Sequence, residues 1–204
     1  EKAALRYAPP DSICHGQVTG LCQRGAIDGA TNVLLFGDSH AAQLNLFMDA
    51  FGQAHGVRAT VLSASSCVPL PGFEDKRLAH WAIGPCQDMQ KAVEERLAGQ
   101  RTVILAGKWS QQMANPAFLP TLTRFLQDTG QHSQRVIVLG QLPMMHRNPV
   151  RALRMDSLGI HTANSVTPEA RDANAVIEAV VRGFPHLRQL QFVCPVCRPP
   201  VLRP

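Results

Sequence analysis

Residues 32–44, Asn32-Val33-Leu34-Leu35-Phe36-Gly37-Asp38-Ser39-His40-Ala41-Ala42-Gln43-Leu44, read as a strand that hands over to a helix within one tight turn. Val33 to Phe36 is an unbroken apolar run, the pattern of a strand buried in a sheet. Gly37 permits the turn. Beyond it Leu44, Phe47, Met48 and Phe51 recur at i, i+3, i+4 and i+7, the stripe of an amphipathic helix whose apolar face is expected in the core. Ser39 stands at the handover, where the free N–H groups of a helix start point outward. Two roles fit it there. As a cap, its hydroxyl accepts from the first turn of a helix beginning at Ala41, with Asp38 as the competing cap. As a nucleophile, it has the same N–H groups and the helix dipole to stabilise negative charge developing at a tetrahedral centre.

The pattern repeats along the chain. Further strand-like runs lie at Val57–Leu62, Thr102–Ala106, Arg135–Leu139 and Leu187–Val193, each short and rich in β-branched or aliphatic residues. Helical stripes fall between them: Met89, Ala92, Val93 and Leu97; then Phe118, Leu119, Leu122, Phe125 and Leu126. A last stripe, Val176, Ile177, Val180, Val181 and Phe184, is opened by Thr167 as cap and Pro168 at the first helical position. Strands alternating with helices imply right-handed crossovers, hence a three-layer α/β/α domain with a central five-stranded parallel sheet. Such sheets hold ligands at the carboxyl ends of their strands. The loops to inspect are therefore Gly37–His40, Ser63–Gly72, Gly107–Ser110 and Gly140–Asn148. Residues 1–30, with Pro9, Pro10, two cysteines and no sustained periodicity, read as an extended lead-in, 31–193 as the domain, and 194–204 as a Pro/Arg-rich tail.

Composition narrows the class. With 204 residues, 45% of them hydrophobic and 17% charged, the chain is long enough for one domain with a sizeable core. It begins at Glu1 and shows no apolar stretch of bilayer length, so it reads as a soluble piece of something longer. The net charge of +5 comes from dispersed Lys and Arg, with no basic run, and one Tyr and two Trp offer no stacking surface for bases. Nucleic acid is not an expected partner. The six cysteines form three local pairs, Cys14 with Cys22, Cys67 with Cys86 and Cys194 with Cys197. Disulfides in an oxidising compartment are the leading reading. Only Cys194-Pro195-Val196-Cys197 has zinc-knuckle or redox spacing; it lacks a second knuckle and opens no helix.

Neither the dinucleotide Gly-x-Gly-x-x-Gly, nor the phosphate-binding Gly-x-x-x-x-Gly-Lys-Ser/Thr, nor the Gly-x-Ser-x-Gly nucleophile elbow occurs at the first loop. Gly37-Asp38-Ser39-His40 after an aliphatic strand resembles instead the first motif of the SGNH (GDSL-like) hydrolase and acyltransferase superfamily. Together with "SASSCVPL" at 63–70, "VILAGKWS" at 103–110 and "VIVLGQLP" at 136–143, it is similar to the extracytoplasmic SGNH domain fused to bacterial acyltransferase-3 membrane proteins. The likeness runs from about Cys14 to the last strand. It implies a flavodoxin-like fold, a periplasmic location tethered to the inner membrane, and O-acetylation of a surface polysaccharide such as lipopolysaccharide O-antigen. No metal or organic cofactor is implied in this domain.

The resemblance also assigns residues. Ser39 is the nucleophile and its own N–H an oxyanion donor. A backbone N–H near Ser66 or Cys67 is the second donor. Trp109 takes the place of the family's Asn in Gly-x-Asn-Asp, where its indole N–H either donates to the oxyanion or simply packs. His146 and Arg147 on the fourth loop line an acceptor groove or remain solvated. A Ser nucleophile needs a base, normally a His oriented by a carboxylate. The family draws both from a late Asp-x-x-His, but after Phe192 this chain reads "VCPVCRPPVLRP", with no Asp beyond Asp172 and no His beyond His186. The general base and its Asp are thus not found in the sequence, and a chain cut short, an altered reading frame or lost catalysis all fit that ending. Of the substitutes, His40 is expected to pack or bond locally, and His161 and His186 to lie at the surface. Three functions stay open: an O-acyltransferase working through a serine ester, a noncatalytic glycan-binding or scaffold module, and a free-standing carbohydrate esterase.

Overall fold

Val33–Phe36 lies in the middle of a six-stranded sheet, with its side chains alternating between two buried faces. The computed structural model describes residues 9–193 apart from 74, 75, 133, 134, 162, 164, 186, 188 and 189. Cys194, Cys197 and His186, singled out in the sequence, lie outside the described residues. The strands are β1 (Gln23–Gly25), β2 (Thr31–Gly37), β3 (Val57–Ser63), β4 (Thr102–Ala106), β5 (Arg135–Leu139) and β6 (Leu190–Val193). The helices are α1 (Ser39–Ala42), α2 (Asn45–His55), α3 (His80–Leu97), α4 (Trp109–Gln112), α5 (Phe118–His132), α6 (Pro149–Ser157) and α7 (Glu169–Arg182).

The order across the sheet is β1-β3-β2-β4-β5-β6, every pair parallel except β1 with β3. The five parallel strands are the expected ones. From β2 the chain steps to β3 on one side, then returns past β2 to β4 on the other. That reversal opens a crevice beyond the carboxyl ends of β2 and β4, where open α/β sheets bind ligands.

Leu34 and Phe36 point into the larger core with Leu62, Leu105, Met89, Phe118, Phe125 and Ile177, contributed by β3, β4, α3, α5 and α7. Val33 and Leu35 point the other way, onto Met48, Ala59 and Val61 under α2. Each such side chain contributes about 1.5–3 kcal/mol by leaving water. Phe36 meets Phe125 edge to face at 5.6 Å, the geometry aromatic quadrupoles favour.

Two expectations give way, and one helix has no counterpart in the sequence reading. The lead-in is not separate from the domain: β1 adds an antiparallel edge strand, and Cys14 and Cys22, joined by a disulfide, sit in the larger core. The helix after Ser39 does not bury its predicted stripe. Met48 is buried, but Phe47 is 57% and Phe51 39% exposed, and the two rings stack at 5.5 Å on the surface. The cause is β1: α2 turns Asn45, Met48 and Gly52 inward, and a Cβ on Gly52 would lie 2.5 Å from the Gly25 Cα, so the closest approach selects the buried face. Arg24 of β1 and Asp49 of α2 pair beside that contact. Finally, α6 went unforeseen, although Asn148-Pro149 is a helix-start signal; the Asn148 side chain accepts from the N–H groups of Val150 and Arg151.

Candidate functional site

Gly37 ends β2 against the end of β4. A Cβ there would fall 1.6 Å from the Ala106 carbonyl oxygen, so only glycine lets the two strand ends approach as they do. Asp38 then leaves the sheet in extended conformation, the residue 1% exposed. Its Oδ1 accepts from the His40 N–H at 2.8 Å; its Oδ2 accepts from the Lys108 N–H at 2.7 Å and from Gln112 Nε2 at 3.2 Å. A buried carboxylate with three donors is a strong, charge-assisted anchor. It caps α1 and ties down the loop after β4 in one step.

That arrangement relieves Ser39 of the capping role. Asp38 is the cap, the helix begins at Ser39 and not at Ala41, and the Ser39 side chain is exposed with no hydrogen bond to any described residue. Gln43 and Leu44 stay in right-handed helical conformation, so α1 leads directly into α2. Burial lowers the pKa of His40, the Asp38 carboxylate opposes that, and Lys108 adds to it. His40 lines a cavity of about 80 Å³ with Leu44, Ala106, Gly107, Leu139 and Leu142, and its Nδ1 has no partner among the described residues. It packs next to Ser39 in sequence without bonding to it.

The second loop is pinned from three sides. Ala64 donates to the Gly37 carbonyl at 3.2 Å, the Cys67–Cys86 disulfide fastens the loop to α3, and Gln112 Nε2 donates to the Ser66 carbonyl at 3.2 Å. Ser66 has φ of 57°, a left-handed conformation uncommon outside glycine and concentrated at functional turns. Of the two N–H groups expected to serve an oxyanion here, that of Cys67 closes its own turn onto Ala64. That of Ser66 has no acceptor among the described residues.

In the third loop Trp109 is fully buried and its Nε1–H donates to the Leu139 carbonyl at 2.8 Å, with Phe118 stacked at 6.1 Å. An indole has one donor. Here it is committed to the backbone of β5, so the proposed oxyanion role gives way to packing.

The fourth loop is held by residues the sequence did not disclose. Gln141 is 1% exposed; its N–H donates to Asn174 Oδ1 at 2.7 Å, its carbonyl accepts from Asn174 Nδ2 at 3.0 Å, and its Oε1 accepts from the Ser110 N–H at 2.9 Å. Helix α7 thereby fixes the loops after β4 and β5 together. A trough of about 430 Å³ runs along them, lined by Lys108, Ser110, Gln111, His146, Thr167 and Glu169 among others. The Glu169 carboxyl is held below the usual range first by the Thr167 side chain, with smaller help from His146 and Lys108. His146 and Arg147 also line the neighbouring hollow against α6.

Further from the crevice, His161 is exposed and pairs with Asp156 at 2.9 Å, in keeping with the surface position expected of it. His15, by contrast, carries no motif in the sequence. It lies against the end of β3, its Nδ1 2.9 Å from Ser63 Oγ and its Nε2 2.9 Å from Ser65 Oγ. Its adjacency to Cys14 was the sole hint that it would be drawn into the core region.

Buried polar atoms without partners are uncommon in folded chains. Among the described residues they include His40 Nδ1, Gln112 Oε1 and Gln141 Nε2, each on a segment that follows β2, β4 or β5. No group of three or more His, Cys, Asp or Glu among those residues stands together as a metal site.

Comparison with known proteins agrees with this fold. The family model for the SGNH domain fused to AT3 domains matches residues 8–198. Among solved structures, the periplasmic domain of the lipopolysaccharide acetyltransferase of Salmonella ser. Paratyphi A is similar at a TM-score of 0.53 and 16% identity, covering 89% of this chain and 73% of that one. At that identity the likeness is one of fold. No protein of curated function matches the chain.

Proposed function

Because the chain belongs to the family of SGNH domains fused to AT3 domains, we propose that it transfers acetyl groups to hydroxyls of a bacterial surface polysaccharide, lipopolysaccharide O-antigen being the model acceptor. The observation that carries this is Ser39: an exposed, unbonded hydroxyl at the carboxyl end of β2, on a turn whose capping duty Asp38 has taken over.

In the reaction Ser39 Oγ attacks the acyl carbonyl and forms an ester, which a sugar hydroxyl then cleaves. The Ser39 and Ser66 N–H groups stabilise the oxyanion. The acceptor lies in the trough beside Lys108, His146 and Glu169, whose mixed charges and hydrogen-bonding groups suit a polyhydroxylated ligand. The acyl group comes from an AT3 domain in the same or a partner chain, which places this domain in the periplasm at the inner membrane. The base that takes the Ser39 proton comes from outside the described residues.

The test uses the full-length protein together with the AT3 domain, in the same or the partner chain. Ser39→Ala is expected to abolish acetylation of the polysaccharide, read by mass spectrometry of the glycan, while leaving the melting temperature within about 2 °C. Undiminished acetylation by Ser39→Ala would sink the proposal. The specific alternative, a glycan-binding module without catalysis, is favoured by the lack of any described imidazole bonded to Ser39. It expects unchanged glycan affinity in Ser39→Ala and no acyl-enzyme in the wild type.

A further inference from the structure

The contacts of His15 fix the position of its proton. Ser63 Oγ donates its single hydrogen to the Cys14 carbonyl at 3.1 Å, so toward His15 it acts as an acceptor. Nδ1 therefore carries the proton and donates to Ser63 Oγ at 2.9 Å. In the neutral ring Nε2 is then bare, and across 2.9 Å it accepts from the Ser65 hydroxyl. The chain Ser65 Oγ–H to His15 to Ser63 to the Cys14 carbonyl has the logic of a nucleophile, a base and an orienting group. Ser63 is fully buried and Cys14 is locked to Cys22, so the orienting end is rigid. Ser65 itself is partly exposed, and it precedes Ser66, whose strained turn leaves a free N–H beside it.

We propose that Ser65 is a second nucleophilic serine, activated by His15 and oriented through Ser63, that accepts an acyl group from an ester or thioester donor. Ser65 Oγ forms a bond to the acyl carbon while its proton passes to His15 Nε2. The bond from that carbon to the leaving oxygen or sulfur then breaks, and the departing group takes the proton back. The product is a Ser65 ester and a free alcohol or thiol, with the imidazole restored. Burial keeps the His15 pKa below its ordinary value against the opposing charge of Asp38, so the ring is neutral and ready to accept at neutral pH.

The proposal does not depend on Ser39, and its test removes that residue. Ser39→Ala protein is treated with a fluorophosphonate, which labels a nucleophilic serine with release of fluoride, and the adduct is located by peptide mass spectrometry. Arg58 lies between the two serines, so trypsin separates them. Expected is one adduct at Ser65, absent from Ser39→Ala/Ser65→Ala and formed about a hundredfold more slowly in Ser39→Ala/His15→Gln. No adduct at Ser65 in Ser39→Ala overturns the proposal, as does an adduct rate indifferent to His15→Gln. Should His15→Gln prove unfolded by circular dichroism, the pH profile of Ser39→Ala decides. A rate that levels off once an imidazole is deprotonated supports the base, and one that rises with hydroxide through pH 9 overturns it. In the wild type, label on Ser65 with none on Ser39 counts against the acyltransferase reading alone.

Discussion

Gln112 and Asp38 meet side chain to side chain at 3.2 Å in the floor of the crevice, and the same Gln112 amide nitrogen reaches the Ser66 carbonyl at 3.2 Å. One buried amide on α4 thus holds the Ser39 turn and the Ser66 turn in fixed relation. Replacing it with Ala leaves the Ser66 carbonyl without that donor and Asp38 with one fewer. Gln112→Ala should lose about 1–3 kcal/mol, lowering the melting temperature by roughly 2–4 °C for each kcal/mol. Calorimetry that finds no shift would show that the two turns are held by other means.

Gly37 is the least replaceable residue of the crevice. Its Cβ position is 1.6 Å from the Ala106 carbonyl oxygen, whereas the exposed Gly20 meets no such neighbour within 4 Å. Gly37→Ala must part β2 from β4 and is expected to cost more than about 4 kcal/mol. Gly20→Ala should change stability by less than about 1 kcal/mol. Urea midpoints of the two variants check both the magnitude and the contrast.

Trp109→Phe separates packing from catalysis. It keeps most of the buried ring but leaves the Leu139 carbonyl without its indole donor, a loss of about 1–3 kcal/mol. Since that N–H is already committed, acylation at Ser39 should fall less than about tenfold, against the 10²–10³ typical of a lost oxyanion donor. A drop in the larger range at intact fold would return Trp109 to the oxyanion site.

His40 makes the fold sensitive to acid. Burial lowers its pKa in the folded chain, while the unfolded chain takes up a proton near pH 6.5. Below that pH the unfolded state therefore binds more protons than the folded one. The stability contribution is present in full above about 6.5 and is lost as pH falls toward the lowered value, by at most about 1.4 kcal/mol per pH unit. His40→Gln should lose less stability than the wild type between pH 7.5 and 5, measured by urea unfolding. Equal losses would place the acid sensitivity elsewhere.

The crevice was legible in the sequence because local rules write it: an apolar run, a glycine and Asp-Ser before a helical period are sufficient to place a polar turn at the end of a central strand. The carboxylate's task was less so. Asp38 looked like a rival cap, and its bond to the Lys108 N–H, from a loop seventy residues on, depends on β2 lying beside β4. Phe47 and Phe51 show the limit from the other side. Their spacing matched a buried stripe, but a helix with apolar residues on more than one face has its orientation chosen by the partner it packs against, here glycine-bearing β1.

By itself the sequence determined the five parallel strands, the main helices α2, α3, α5 and α7 between them and the position of Ser39 at a strand end, since each follows from residue period and turn chemistry within a few positions. The tertiary structure alone decided which polar atoms meet. It gave the cap to Asp38 and left Ser39 open, spent the Trp109 N–H on β5, joined Gln141 to Asn174, and brought His15 to Ser63 and Ser65 across some fifty positions of chain. Hydrogen bonds of a few ångströms between distant segments carry no periodic trace. They exist only once packing has set the segments side by side.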